Sequence, residues 1–123
     1  MTVMKEVKVG EVSGAALDYL VLTCGELDAD SNITTKQFIS MQNQGYFLYS
    51  TDWEQGGPII EHIRLVSSHS FLIESDGTDV YILSWPSKHT FFKGRGSTLL
   101  IAAMRCYVAS KLGEVVKVPQ ELL

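Results

Sequence analysis

This sequence has few cysteines and no long apolar run, and each shortage excludes a class of protein. Of the 123 residues, two are cysteines, three are prolines and 20% are charged. Cys24 and Cys106 lie far apart among apolar neighbours, whereas a CxxC redox pair or a zinc site needs clustered ligands. No apolar run approaches the roughly 18 residues of a membrane span, and the opening residues lack the pattern of a secretory signal. We therefore expect free thiols, no bound metal, no membrane contact and a cytoplasmic location.

The size and composition are typical of one folded domain. A chain of this length, 46% hydrophobic, can bury enough surface to fold without disulfides or metals, so we expect residues 1–123 to form a single domain. The composition excludes a disordered tail, a collagen-like repeat and a coiled coil. The formal net charge of −4 gives no basic field, which predicts no broad nucleic-acid binding. A local basic patch of Lys88, Lys93 and Arg95 stays open, with a solvated loop as the alternative.

Hydrophobic periodicity predicts three helices. The first begins after Ser13, a residue type typical of helix N-caps, and ends near Gly25. The second runs over Thr98–Leu112, is apolar on nearly all sides and stops at the glycine that follows. A short third helix is predicted over Pro58–Arg64, because the proline ring suits the first helical position. Arg105 stands alone among apolar residues of the second helix, and we expect it to meet a carboxylate or lie at the helix border.

Alternating and β-rich segments predict a small antiparallel sheet. Phe71–Glu74 and Val80–Leu83 flank Asp76-Gly77, a pair typical of tight hairpin turns. Weaker strand signals lie at Val3–Val9, Tyr46–Tyr49 and Val116–Val118. Ser87–Gly96 is expected to be a surface loop. The predicted fold class is α+β, with two main helices packed on one face of the sheet and one short helix beside them.

An acidic segment, Glu26–Lys36, is expected to form a surface loop. Asp28, Asp30 and Asn32 stand at the spacing that opens a calcium-binding loop. The rest of that pattern fails, because Ile33 replaces the turn glycine and Ile39 replaces the bidentate glutamate. We therefore predict no calcium site.

Several blocks of the sequence resemble the NinX-like family of tailed-phage and prophage proteins. They cover about half of the chain and occur in the order of the family. The blocks are Ser13–Tyr19, Ser50–Trp53, Gly56–Glu61, Leu100–Arg105, Val108–Gly113 and Val118–Pro119. The resemblance implies a small accessory protein that a phage or prophage encodes and that is made inside a bacterial cell. It implies no particular molecular activity.

The segment from Thr51 to Pro58 is the predicted ligand site. Two glycines precede the predicted short helix, and the free N–H groups at a helix start attract phosphates and carboxylates. Trp53 offers a stacking face and Asp52 accepts hydrogen bonds from hydroxyl groups. The alternative is a structural turn in which Asp52 caps the helix and Trp53 packs into the core. The predicted ligand-binding residues are Thr51, Asp52, Trp53, Gly56, Gly57 and Arg95.

Arg95 joins this set because it precedes the second main helix. If the two helix starts converge, Trp53, Trp85 and Arg95 surround one polar pocket. No histidine has a carboxylate or nucleophile at a diagnostic spacing, so we predict no catalytic residue and no cofactor. The leading hypothesis is a binding module for a protein partner or a small anionic ligand. The alternatives are a small enzyme acting on a nucleotide or sugar derivative, and a homodimer whose aromatic surface is an assembly interface.

Overall fold

The computed structural model describes residues 3–25 and 33–123. Its helices are α1 (Gly14–Gly25), α2 (Thr35–Asn43), α3 (Trp53–Val66) and α4 (Leu99–Leu112). Its strands are β1 (Met4–Lys8), β2 (Ser70–Ser75), β3 (Val80–Ser87), β4 (Thr90–Gly96) and β5 (Val115–Pro119). Short 3₁₀ turns span Val9–Glu11 and Gln120–Leu122. The three polar residues of the rejected calcium loop, Asp28, Asp30 and Asn32, lie outside the described residues, as does most of the predicted acidic loop.

The strands form two antiparallel sheets, so the α+β class is confirmed with two sheets where one was predicted. β1 pairs with β5, which brings Lys8 opposite Val115. The other sheet has the order β2-β3-β4. Its first hairpin turns at Gly77, which has a φ of 90°, while the carboxylate of Asp76 accepts hydrogen bonds from the N–H groups of Thr78 and Asp79 at 2.9 and 2.8 Å. The predicted hairpin and the predicted strand before Pro119 are therefore both found.

Helix α4 is the centre of the core because it is apolar on nearly every side. Its buried residues include Met104 and Val108, both with no exposed surface. The helix lies across β4 at very short range, and two glycines make this possible. A Cβ atom at Gly94 would lie 1.9 Å from the carbonyl oxygen of Ala102, and one at Gly96 would lie 2.8 Å from the Ala102 nitrogen. The helix end also follows the prediction, since Gly113 caps it with a φ of 89°.

Two predictions about the sheet are wrong. Ser87–Gly96 was expected to be a loop, but Thr90–Gly96 forms β4, because its glycines face the α4 backbone instead of shaping a turn. The main contacts of helix α1 are with α4 and β5 rather than with the three-stranded sheet. Helix α3 instead accompanies α4 on that sheet, on the side we call the inner face.

The region before α3 also differs from the prediction. Thr35–Asn43 forms α2, which begins with a capping box: the side chain of Thr34 accepts from the Gln37 N–H, and the Gln37 side chain accepts from the Thr34 N–H. Tyr46–Tyr49 is not a strand. Phe47 there has a φ of 59°, and its ring stacks on Phe38 with 5.8 Å between centroids. Aromatic packing in a compact turn, and not strand pairing, explains this run of large residues.

Candidate functional site

The predicted site segment begins helix α3, which starts at Trp53 and not at Pro58. Asp52 is the N-cap: Oδ1 accepts from the Glu54 N–H at 3.0 Å, and Oδ2 accepts from Gln55 Nε2 at 2.9 Å. Both carboxylate oxygens therefore have partners within the protein. Gly56 and Gly57 lie inside the helix, so the expected glycine loop in front of the helix is wrong. The capping carboxylate sets the start of this helix, and the proline follows in its second turn.

Gly56 has a structural reason for lacking a side chain. A Cβ atom there would lie 2.2 Å from the carbonyl oxygen of Tyr49 and 2.6 Å from Cδ2 of Leu100. The first turn of α3 thus rests on the first turn of α4, as the predicted meeting of the two helix starts requires. Gly57 is half-buried, and a Cβ atom there would meet nothing within 4 Å.

The side chain of Trp53 is exposed, unlike the buried Gly56 and unlike a tryptophan packed into the core. Its side chain is 57% exposed, so the expectation that it packs into the core is wrong. Thr51 is exposed in the turn just before it. The ligand-binding role assigned to the Thr51–Gly57 segment stays a prediction, now with Trp53 as the side chain that is free to contact a ligand.

Arg95 lies away from that segment, on β4. Its Nε donates to Asp79 Oδ2 at 2.7 Å, and its guanidinium lies 5.6 Å from the ring centroid of Tyr81. Trp85 packs against Phe91 on the same side of the sheet, with 4.7 Å between ring centroids. This outer face is opposite the inner face that carries α3. The predicted pocket of Trp53, Trp85 and Arg95 is therefore not assembled, because the sheet separates Trp53 from the other two.

A buried carboxylate was missed by the sequence interpretation. Asp18 of α1 is 3% exposed. Its Oδ1 accepts from the Ser50 N–H at 2.8 Å and its Oδ2 accepts from Gln42 Nε2 at 3.0 Å, while Gln42 also donates to the Phe47 carbonyl. Burial raises the pKa of Asp18, and the hydrogen bonds from Ser50 and Gln42 partly oppose that rise. A lone acidic residue in an apolar helix was the available signal.

This carboxylate connects two of the blocks that carry the family resemblance. Asp18 belongs to the first block and Ser50 to the second, and Gly56 of the third block touches Leu100 of the fourth. The resemblance therefore includes residues that hold α1, α3 and α4 together. These contacts account for Asp18, Asp52 and Gly56 as architecture.

A groove of about 730 Å³ lies between the two sheets, and we call it the basic groove. Its walls are the 3₁₀ turn after β1 on one side and β4 on the other, and its floor is α4. This volume is within the range of small-molecule sites. The lining residues are Lys8, Val9, Gly10, Glu11, Phe91, Phe92, Lys93, Gly94, Arg95, Arg105, Ala109, Gly113, Glu114 and Val115.

The groove is positive in a protein that is negative overall. Lys8, Lys93, Arg95 and Arg105 line it, against two acidic residues, whereas the whole chain has a formal net charge of −4. Arg95 is paired with Asp79, which leaves the other three cations without a carboxylate among the ion pairs of the described residues.

Arg105 on the groove floor is held by backbone, contrary to the expectation of a carboxylate partner. Its Nε donates to the Val12 carbonyl at 3.0 Å and its Nη1 donates to the Arg95 carbonyl at 2.7 Å. Burial lowers the pKa of Arg105, but an arginine side chain stays charged at neutral pH. The carboxylate of Asp79, which is paired with Arg95, partly opposes that lowering at longer range. The guanidinium is thus fixed in position without an ion pair of its own.

The backbone of β4 adds hydrogen-bond donors to the same groove. One edge of β4 pairs with β3, and no described strand pairs with its other edge. The Arg95 carbonyl points to the other edge, because Arg105 binds it there. In an antiparallel strand the N–H and C=O of one residue share a side and residues alternate, so Lys93 also directs its backbone groups into the groove. The regular register with β3 ends at Phe92.

In the described ranges, no group of three or more histidine, cysteine, aspartate or glutamate side chains is arranged to hold a metal ion. No helix within them has the length and hydropathy needed to cross a membrane. Cys24 of α1 and Cys106 of α4 are free thiols, as expected, and burial raises their pKa values to about 11 and about 12.

Comparison with known proteins matches most of the chain to a family model. The family model described as "Bacteriophage P22, NinX" matches residues 8–111. The matched range runs from Lys8 to the last turn of α4 and includes the buried Asp18 and the cations of the basic groove. No curated protein matches the chain.

Proposed function

The chain belongs to the bacteriophage P22 NinX family, and from this premise we propose that it is a phage accessory protein that acts by binding in the cytoplasm of the infected cell. The ligand is a small molecule with at least two negative charges, carried by phosphate or carboxylate groups. It binds in the basic groove.

The observation that carries this proposal is the state of Arg105. Arg105 is partly buried and shares its nearest carboxylate, Asp79, with Arg95, with which Asp79 forms an ion pair. A partly buried charge without an ion pair of its own costs stability, and an anion in the groove reduces that cost. The two backbone carbonyls hold the guanidinium in place before any ligand arrives, so little side-chain entropy is lost on binding. Hydrogen bonds between a guanidinium and a carboxylate or phosphate are among the strongest that proteins make.

Lys8 and Lys93 supply the remaining positive charge from the rim. Both are exposed and lie on opposite walls of the groove, at the end of β1 and on β4. The Lys93 ammonium lies 5.2 Å from the ring centroid of Tyr81 on the outer face, so this flexible side chain has to leave that ring to reach an anion bound to Arg105. Lys8 approaches the anion from the opposite wall. The free N–H groups of β4 donate to oxygen atoms that the cations leave unsatisfied.

Calorimetric titration with inorganic pyrophosphate and with citrate tests this proposal and separates phosphate from carboxylate recognition. We expect at least one of the two to bind, and binding to weaken as salt is added, because the site is open to solvent. Replacing both rim lysines (Lys8→Ala with Lys93→Ala) should weaken binding at least tenfold, or about 1.4 kcal/mol.

The matched control is the pair Lys5→Ala with Lys117→Ala. These lysines are also exposed and lie on β1 and β5, but outside the groove. The control should bind like the unmodified protein. Equal losses in both pairs, or no binding of either anion, would contradict the proposal.

A further inference from the structure

Strand β2 forms an open edge of the three-stranded sheet. It pairs only with β3 among the described strands. Leu72 and Ile73, on opposite faces of the strand, are 44% and 48% exposed. An edge that shows apolar side chains on both faces and unpaired backbone groups is a template for pairing with another strand.

The two edge strands of this sheet, β4 and β2, differ in the residues that prevent pairing with another strand. The β4 edge carries Lys93 and Arg95, and the Arg105 guanidinium occupies one of its carbonyls. β2 has no lysine, arginine or proline, and its only charged residue is Glu74. The devices that block edge pairing are thus present on β4 and missing on β2.

The direction of the free backbone groups follows from the hairpin. The Asp76 N–H donates to the Asp79 carbonyl at 3.2 Å, so Asp76 directs its backbone toward β3. By alternation Glu74 and Leu72 do the same. Phe71 and Ile73 therefore direct their N–H and C=O groups outward, at the open edge.

We propose that two copies of the chain pair through β2, antiparallel and about a two-fold axis at Leu72, to form a six-stranded sheet. In this register Leu72 faces Leu72 of the second copy on one side of the sheet. On the other side Phe71 faces Ile73 of the second copy, and their outward backbone groups bond to each other. The inference goes beyond the proposed function, because β2 and the basic groove lie at opposite edges of the sheet.

The side chains of β2 match those of a second copy in the register with the axis at Leu72. There each Glu74 faces an uncharged Ser70, and Phe71, Leu72 and Ile73 all face apolar residues. Moving the axis to Glu74 would place two carboxylates against each other, and moving it to Ile73 would place Leu72 against Glu74. Moving it to Phe71 would place Leu72 against Ser70 and Ile73 against His69. The Leu72 register therefore gives β2 the self-complementary pairing that a two-fold interface requires.

Two substitutions that introduce opposite charges at Leu72 test the proposal, with the oligomeric state measured by sedimentation velocity. We expect the unmodified chain to be a dimer, and Leu72→Lys and Leu72→Glu each to be monomeric, because like charges then meet at the axis. An equal mixture of the two variants should recover the dimer. The control is Leu112→Lys on α4, where the leucine is 45% exposed, and it should stay dimeric. A monomeric unmodified chain, or a mixture that stays monomeric, would overturn the proposal.

Amide hydrogen exchange of the unmodified chain gives a second test that needs no variant. The N–H groups of Phe71 and Ile73 should exchange more slowly as protein concentration rises, because only the dimer protects them. The N–H of Lys93 at the other edge should not respond to concentration. A dimer in which the β2 amides stay unprotected would show that another surface pairs, and the proposal would be wrong.

Discussion

The buried Asp18 carboxylate allows the sharpest test of how the fold is held together. Asp18→Ala removes the acceptor of two hydrogen bonds and leaves the Ser50 N–H buried without a partner. An unsatisfied buried donor costs about 1–3 kcal/mol. Gln42 is only half-buried and keeps its bond to the Phe47 carbonyl, so we assign it little of the loss. The expected decrease in the free energy of unfolding is therefore about 1–3 kcal/mol.

The effect should also depend on pH, with a defined sign. Burial raises the pKa of Asp18 in the folded state above its usual 3.8, so the folded protein binds this proton more tightly than the unfolded chain. The stabilisation from this linkage is fully present below the unfolded pKa and is lost as the pH rises through the folded pKa. The advantage of the unmodified protein over Asp18→Ala should therefore shrink as the pH is raised from about 4 to 8.

Urea denaturation at several pH values measures both parts of this prediction. Asp18→Asn is the matched variant, because its amide oxygen still accepts from Ser50 but does not titrate. It should lose less stability than the alanine variant and should differ from it by a constant amount at all pH values. An advantage of the unmodified protein that grows with pH would refute the reasoning, because it would mean that the pKa of Asp18 is lowered.

Further substitutions test other contacts. Gly94→Ala should lower the free energy of unfolding, measured by urea denaturation, by about 1–3 kcal/mol or more, because the added Cβ meets α4 backbone that cannot move aside. Unchanged stability would disprove the close contact between β4 and α4. Asp52→Ala should cost about 0.5–2 kcal/mol as a lost N-cap, and a neutral result would mean that the cap is not needed. Trp53→Phe should change stability by less than about 0.5 kcal/mol, because the side chain is exposed. Pyrophosphate binding should also be unchanged, because Trp53 does not line the basic groove, and a loss of binding would contradict the proposed location of the anion.

The sequence predicted best where local signals and tertiary packing agree. α1 and α4 have strong apolar periodicity, and the hairpin at Gly77 has a turn signal between two β-rich runs. In both cases the residue pattern and the final environment require the same structure. The α+β class followed from these elements alone.

The wrong secondary-structure predictions concern glycine and proline, because each of these residue types occurs in two different structural settings. Gly94 and Gly96 were interpreted as loop residues, yet they lie in a strand because α4 needs close approach to its backbone. Pro58 was interpreted as a helix start, yet the Asp52 cap begins α3 one turn earlier. Only the contact partner, which is distant in sequence, distinguishes the two uses.

The candidate site shows the same limit. Arg95 was predicted, and it lines the basic groove, but Lys8 and Arg105 were not assigned to a site. Lys8 and Arg105 come from opposite ends of the chain, and the groove exists because β1 and β5 pair beside α4. No local motif records that arrangement, although a lone arginine in an apolar helix signalled that Arg105 needs a partner.

The central claim is that an anion binds in the basic groove against Arg105. The most direct measurement is the NMR signal of the Arg105 Nε–Hε group during titration with pyrophosphate or citrate, followed alongside the same signal of Arg64, which lies on α3 outside the groove. We predict a saturable shift at Arg105 with at least one of these anions and none at Arg64. Saturation at neither arginine, or equal shifts at both, would contradict anion binding at Arg105.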